Sequence, residues 1–271
     1  VRMAEYHCVL TLPGNMKRTI LALLVTGFSL IPAGWVTAQA FKTLHNFNNT
    51  NDGSFADNEL VLSHNVLYGT ADVGGSSDRG TIFALKTDGT DFTILHAFAA
   101  NFDPPYTNSD GAYPQTGMIL SGGTLYGTAN LGGISVIGMV FRVNVDGTGF
   151  TNLHSFPPLS DTYPVYTNSD GGYPAGGLTL AGETLYGTTP RGGTLGNGTV
   201  FAINTDGTGF TNLHNFVSTE GRSSQAGLIL SGNTLYGTTL EGGSSGSGTV
   251  FKLNTNGTDF TVVHSFTATG S

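Results

Sequence analysis

Leu185-Tyr186-Gly187-Thr188, inside the run TLYGTT at 184–189, is written four times in this chain. The other copies are Leu67–Thr70, Leu125–Thr128 and Leu235–Thr238, so Tyr68, Tyr126, Tyr186 and Tyr236 fall 58, 60 and 50 residues apart. Each copy is followed by a Gly-Gly pair or a close equivalent, a Gly-x-Val/Ile-Phe run, an Asp/Asn-Gly-Thr turn and a run ending His-x-Phe. A period near 50 built from short β segments marks a repeat architecture, and it has to be read before any single residue.

Outward from that phrase, the unit starting at Phe210 reads as four strands. They are FTNLHNF at 210–216, GLIL at 227–230, TLYGTT at 234–239 and GTVFKLN at 248–254. Two-residue Gly/Asn turns between apolar runs are strong hairpin signals, and no segment carries the 3.6-residue apolar period of a helix. Glycine, at 41 of 271 residues, is about twice its usual share and gathers at the turns. Four antiparallel strands per unit of about 50 residues predict an all-β fold, a β-propeller of four-stranded blades. A flat β-solenoid fits less well, because its rungs are usually shorter. Cutting at each Phe-x-x-Leu/Val-His strand gives blades at 41–91, 92–149, 150–209 and 210–259, with 260–271 as the first strand of a fifth. Blades of this kind gain stability from stacked neighbours.

The first forty residues stand outside the repeat. Met16-Lys17-Arg18, an apolar run from Thr19 to Leu30 and Ala38-Gln39-Ala40 are the three parts of a secretory signal peptide in order. The expectation is cleavage after Ala40, with 1–15 as upstream read-through and 16–40 as the signal. Export to the medium or cell surface follows. Gly27, Ser29, Pro32 and Gly34 interrupt the run before the roughly 20 apolar residues that a membrane span needs. The only cysteine, Cys8, precedes Met16, so the mature chain has no thiol nucleophile or cysteine metal site. Losing Arg2, Lys17, Arg18 and Glu5 moves the net charge from −8 to −10. An acidic surface argues against nucleic acid, which needs a basic patch. Scattered lysines and arginines argue against a charged membrane surface as partner. At the other end the chain stops after Phe260–Phe266, where other copies continue to a further strand; this reads as a piece of a longer protein.

Together L-Y-G-T-T, G-G, G-x-G-T-V-F and N-x-D-G-T-x-F-T-x-L-H-x-F resemble the GloVer tandem-repeat family of exported bacterial proteins, over nearly all of 41–271. The resemblance implies secretion or attachment through varied C-terminal anchors. It brings no assigned activity, catalytic residue or ligand, and this sequence shows no anchor.

Five histidines recur, His45, His96, His154, His214 and His264. Strand alternation puts His214 on one face with Phe210 and Phe216, so these are read as structural imidazoles hydrogen-bonded across blades rather than metal ligands. His64, at a hairpin position held elsewhere by Gly122, Gly182 and Gly232, reads as a turn residue. The repeated tyrosines read as core packing. Asp88, Asp146 and Asp206 read as turn formers, since one acid per turn falls short of a calcium loop. No P-loop or H-E-x-x-H is present, and no cofactor, metal or catalytic residue is expected.

Blades 2 and 3 depart from the template by insertions at 99–115 and 157–175. Their Tyr106, Asn108, Asp110, Tyr113, Tyr163, Tyr166, Asn168, Asp170 and Tyr173 combine aromatic planes with carboxamides and carboxylates, the side chains a sugar site uses. The predicted function is an exported, non-catalytic binding scaffold for an extracellular glycan or cell-surface protein. The alternative is a propeller-type carbohydrate-active hydrolase or lyase using loop acids. Self-association through open blade faces is also expected.

Overall fold

The computed structural model describes residues 41–48, 50–99, 108–160, 165–267. The expected signal peptide, its cleavage after Ala40, Tyr106 and Tyr163 lie outside these. The chain divides into Val1–Lys42 and Thr43–Ser271, and the second unit carries the repeat.

Blade 1 consists of β1 (Val61–Ser63), β2 (Val66–Ala71), β3 (Thr81–Lys86) and β4 (Thr93–Ala97). A short β5 (Asn108–Ala112) leads into blade 2, formed by β6 (Ile119–Ser121), β7 (Thr124–Ala129), β9 (Met139–Asn144) and β10 (Thr151–Ser155). β8 (Leu131–Gly133) pairs with β5. Blade 3 is β11 (Thr179–Ala181), β12 (Thr184–Thr189), β13 (Thr199–Asn204) and β14 (Thr211–Asn215). Blade 4 is β15 (Ile229–Ser231), β16 (Thr234–Thr239), β17 (Thr249–Asn254) and β18 (Thr261–Ser265). Every blade is a four-stranded antiparallel meander in chain order, and the described residues contain no helix. Equivalent turns leading into the inner strands, at 57–59, 115–117, 175–178 and 225–229, line one common cavity. Sheets stacked face to face with their inner ends on one axis make a β-propeller.

The phase of the repeat differs from the sequence reading by one strand. β18 pairs with β17, so 260–271 holds the outer strand of blade 4 rather than the first strand of a fifth. Likewise β4, β10 and β14 close the blades before them. The tight Asp-Gly-Thr hairpin decides this. Thr90 donates both its amide (2.9 Å) and its hydroxyl (2.7 Å) to Asp88, and Asp206 accepts the same pair from Thr208 at 2.8 and 2.7 Å. A strand after a short link such as 87–92 pairs with the strand before it, and the longer link after His-x-Phe crosses to the next blade.

Each residue of the repeated phrase has a separate physical task. Leu125, Leu185 and Leu235 are fully buried. Gly187 lies flat against Phe201, where an added Cβ would sit 2.4 Å from the ring; the same crowding holds at Gly69, Gly127 and Gly237. The threonine hydroxyl can tether the next blade, as Thr70 does to the Thr116 carbonyl (3.1 Å) and Thr188 to that of Ala226 (3.2 Å). The tyrosine fills the seam. Tyr186, Val200 and Phe216 of blade 3 pack against Leu228, Leu235 and Phe251 of blade 4, and homologous clusters join blades 1–2 and 2–3.

Candidate functional site

The recurrent histidines form one device. On the outer strand of its blade, His96 stacks on Phe150 of the following blade (3.7 Å, 3°) and meets Phe98 edge-on. His154 stacks on Phe210 and His214 on Phe260 at the same 3.7 Å. The Nε2 atoms then reach an acid in the segment leading into the next blade: Asp110, Asp170 and Glu220, each at 3.0 Å. One clamp therefore joins blades by a ring stack and a close imidazole–carboxylate contact, which meets hydrogen-bond geometry at His214–Glu220. Burial holds the imidazoles of His154 and His214 below the ordinary histidine range, against the opposing pull of Asp170 and Glu220.

His214 does not share a face with Phe210, contrary to plain alternation. A β-bulge intervenes, with Phe201 opposite Asn212 but Val200 opposite His214. The extra residue Leu213 reverses the parity of the strand. Phe210 thus points back to blade 2, while His214 and Phe216 point forward to blade 4. The bulge recurs in all four blades.

Several loop residues singled out from the sequence are tied into the scaffold. Asn108 donates to the carbonyls of Ala99 (2.7 Å) and Gly111 (2.8 Å). Asn168 donates to Pro157 and Gly171 and accepts the Gly193 amide. Asp110 and Asp170 hold His96 and His154. Tyr113 and Tyr173 adopt positive φ at the seams, their rings beneath the guanidinium groups of Arg79 and Arg191. The Arg79 guanidinium also donates to the Tyr113 hydroxyl.

Tyr166 differs from these. It stands half exposed beside Val165 and Leu195, lining a recess of about 290 Å³ with Arg191, Asn197 and Arg222. Arg222 is braced by Glu241 at 2.5 Å. The recess offers an aromatic plane, an aliphatic wall and two guanidinium groups. Here the inserted loop of blade 3 meets elements of blades 3 and 4. The described residues of blade 2's insertion supply none of its lining.

A second feature escaped the sequence reading. The axial cavity, about 570 Å³, carries Asp57, Asn58 and Glu59 from blade 1, where blade 3 has Ala175, Gly176 and Gly177. Nearby, burial raises the Asp72 carboxyl above its ordinary range; hydrogen bonding to Asn58 opposes this and the charge of Asp57 adds to it. Asn58 also donates to Thr70 and to the Pro114 carbonyl. The available signal was a departure from template at 57–59, with acids at Asp57 and Glu59 where the other copies carry none.

Four such blades, joined by the same kind of seam, define a repeat propeller. The chain belongs to the Gloeobacter/Verrucomicrobia repeat family, whose model matches residues 33–168 and 160–271. No curated protein matches it. Among solved structures it is similar to a chain of the nidogen/laminin complex, at 16% identity, over 75% of this chain and 62% of that one, with a TM-score of 0.47. It is also similar to TolB from Acinetobacter baumannii, at 15% identity, over 80% of this chain and 43% of that one, with a TM-score of 0.45. For the putative TolB from Agrobacterium tumefaciens the values are 12%, 79%, 68% and 0.47. The chain spans less than two thirds of the first two structures.

Proposed function

We propose that the protein is an exported, non-catalytic binding scaffold that takes an extracellular glycan in the recess around Tyr166. One observation carries the reading: the described tyrosines, carboxamides and acids of the insertions are engaged internally, whereas Tyr166 is offered to solvent beside Arg191 and Arg222. A tyrosine face suits sugar C–H surfaces, and guanidinium groups suit carboxylates or sulfates in bidentate geometry. The glycan class is therefore acidic. On an array of neutral and acidic glycans, the acidic spots are expected to retain the protein, and Tyr166→Ala or Arg222→Ser to remove the signal. Equal retention by the wild type and both variants rejects the recess as the site.

The second reading, a carbohydrate-active propeller enzyme, draws on Asp57 and Glu59 at the axial cavity instead of the loop acids Asp110 and Asp170, which hold histidines. Glycoside hydrolysis uses such carboxylate pairs. Release of reducing sugar that disappears in Asp57→Asn and Glu59→Gln would favour it over the scaffold.

A further inference from the structure

Thr43–Phe47 pair with no strand among the described residues, yet they occupy blade 1 as an outer strand occupies the blade that follows it. His45 stacks on Phe92 at 3.8 Å and 2°, beside 3.7 Å and 3° for His96 on Phe150. Phe47 meets Phe83 edge-on at 5.2 Å, as Phe216 meets Phe251 at 5.1 Å. His45 reaches Asp52 at 2.9 Å, the counterpart of the three acid contacts above. A Cβ on Gly89 would sit 3.0 Å from the Leu44 carbonyl, as one on Gly147 would sit 2.9 Å from that of Leu95. Five residues thus sit where the fourth strand of a preceding blade would sit.

The faces on either side of that position are bare. On blade 1, Leu60 is 53% exposed, whereas its equivalents Met118, Leu178 and Leu228 are 5–6% exposed. On blade 4, Tyr236 is 37% exposed against 6–7% for the other three tyrosines, and Ile229, Val263 and Phe266 are exposed too. Among the described aromatic residues, His264 meets Phe266, just past its own strand, and none from another blade. The phenylalanine that opens each Phe-x-x-Leu/Val-His motif stacks on the histidine of the preceding blade: Phe92, Phe150, Phe210 and Phe260 all do so. Phe41 opens the same motif and is 95% exposed. Five histidines and five phenylalanines therefore make four clamps, and His264 and Phe41 are the halves left over.

We propose that the gap between blade 4 and blade 1 takes a three-stranded antiparallel sheet of this same repeat, an inner strand, a Leu-Tyr-Gly-Thr strand and a Gly-Thr-Val-Phe strand. Thr43–Phe47 complete it as the outer strand. The occupant's chemistry follows from three existing seams. Its leucine and phenylalanine face covers Tyr236, Val263 and Phe266, and its tyrosine face covers Leu60 and Leu62. Thr43–Phe47 then gain the ladder hydrogen bonds that β4, β10, β14 and β18 already make.

The test appends such a sheet to the full repeat region. A second copy of residues 217–257 is placed after Phe266, the point at which Val217 follows Phe216. Amide hydrogen exchange of Leu44–Phe47 is compared with that of the parent chain. Exchange is expected to slow by about a hundredfold as these amides enter a ladder, and His45→Ala in the extended chain should reduce that protection. Unchanged exchange at 44–47 in a folded extended chain overturns the proposal. So does aggregation of the extended chain where the parent folds, because the sheet would then not fit. Protection of the parent's own 44–47 on concentration alone would assign the gap to a second copy, and overturns it as well.

Discussion

The seam between blades 3 and 4 and the outward face of blade 4 are built from the same residue types, yet they differ in nearly every physical respect. In the seam, Tyr186 and Phe216 are buried and His214 is stacked on Phe260. On the outward face, Tyr236 and Phe266 are exposed and His264 lacks a stacking partner from another blade. Intrinsic propensity cannot account for this, since the motifs match. A blade is a thin sheet whose two apolar faces are buried only by other sheets, so the repeat specifies a surface and its complement together. Stability is expected to track the seam a residue occupies rather than its place in the motif.

The largest contrast should come from phenylalanine. Phe201 is fully buried between Phe156 and Phe210. Phe201→Ala should lose about 3–5 kcal/mol, the usual cost of a large aromatic cavity. Phe266→Ala should cost less than about 1 kcal/mol, as surface substitutions do. Urea midpoints of the two variants check this. Equal losses would mean that blade 4's outward face is covered in solution.

The histidine clamp gives a middle-sized contrast. His214→Ala removes a ring stack and strips Glu220 of its partner, at about 1–3 kcal/mol, whereas His264→Ala should change stability by less than about 0.5 kcal/mol. The clamp also titrates. Burial holds the folded-state pKa of His154 and His214 below that of the unfolded chain, so folding favours the neutral ring. Stability should therefore be fully present above the ordinary histidine value of about 6.5 and decline as pH falls below it towards the lowered folded value. Denaturant melts between pH 7.5 and 5 should show the decline, and a His154→Gln, His214→Gln double variant should flatten it. A stability that rises on acidification would mean that Asp170 and Glu220 outweigh burial.

Much of the fold was legible in the repeated phrase. Class and strand count per blade follow from periodicity and turn chemistry. The phase of the blades was also present, in the tight Asp88-Gly89-Thr90 hairpin, but it was overridden by treating His-x-Phe as a beginning. The pairing of Phe210 with His154 was not legible, because a one-residue bulge at Leu213 reverses which face a side chain takes without leaving a sequence mark. Nor was the internal use of Asn108 and Asn168. A polar residue in an exposed-looking loop reads the same whether its amide points to solvent or back to a carbonyl.

The smallest effect on stability should come from the insertion of blade 3, and it separates scaffold from function most sharply. His154 takes its acid from Asp170 across a long loop, while His214 takes Glu220 only six residues on. A short loop therefore suffices for the clamp, and the extra length has no part in it. Replacing 157–170 by the blade 4 sequence Val217–Glu220 keeps an acid where His154 needs one. Closing a loop costs only about 0.6 kcal/mol per doubling of length, so the melting temperature should move little, and the shift could fall on either side of zero. The same replacement removes Tyr166 and Val165 from the recess that holds Arg191 and Arg222. Retention on acidic glycans should vanish while exchange protection of β11–β14 stays native. Were retention to survive in the shortened chain, the axial cavity with Asp57 and Glu59 would become the site to examine, because there too a blade departs from its own template.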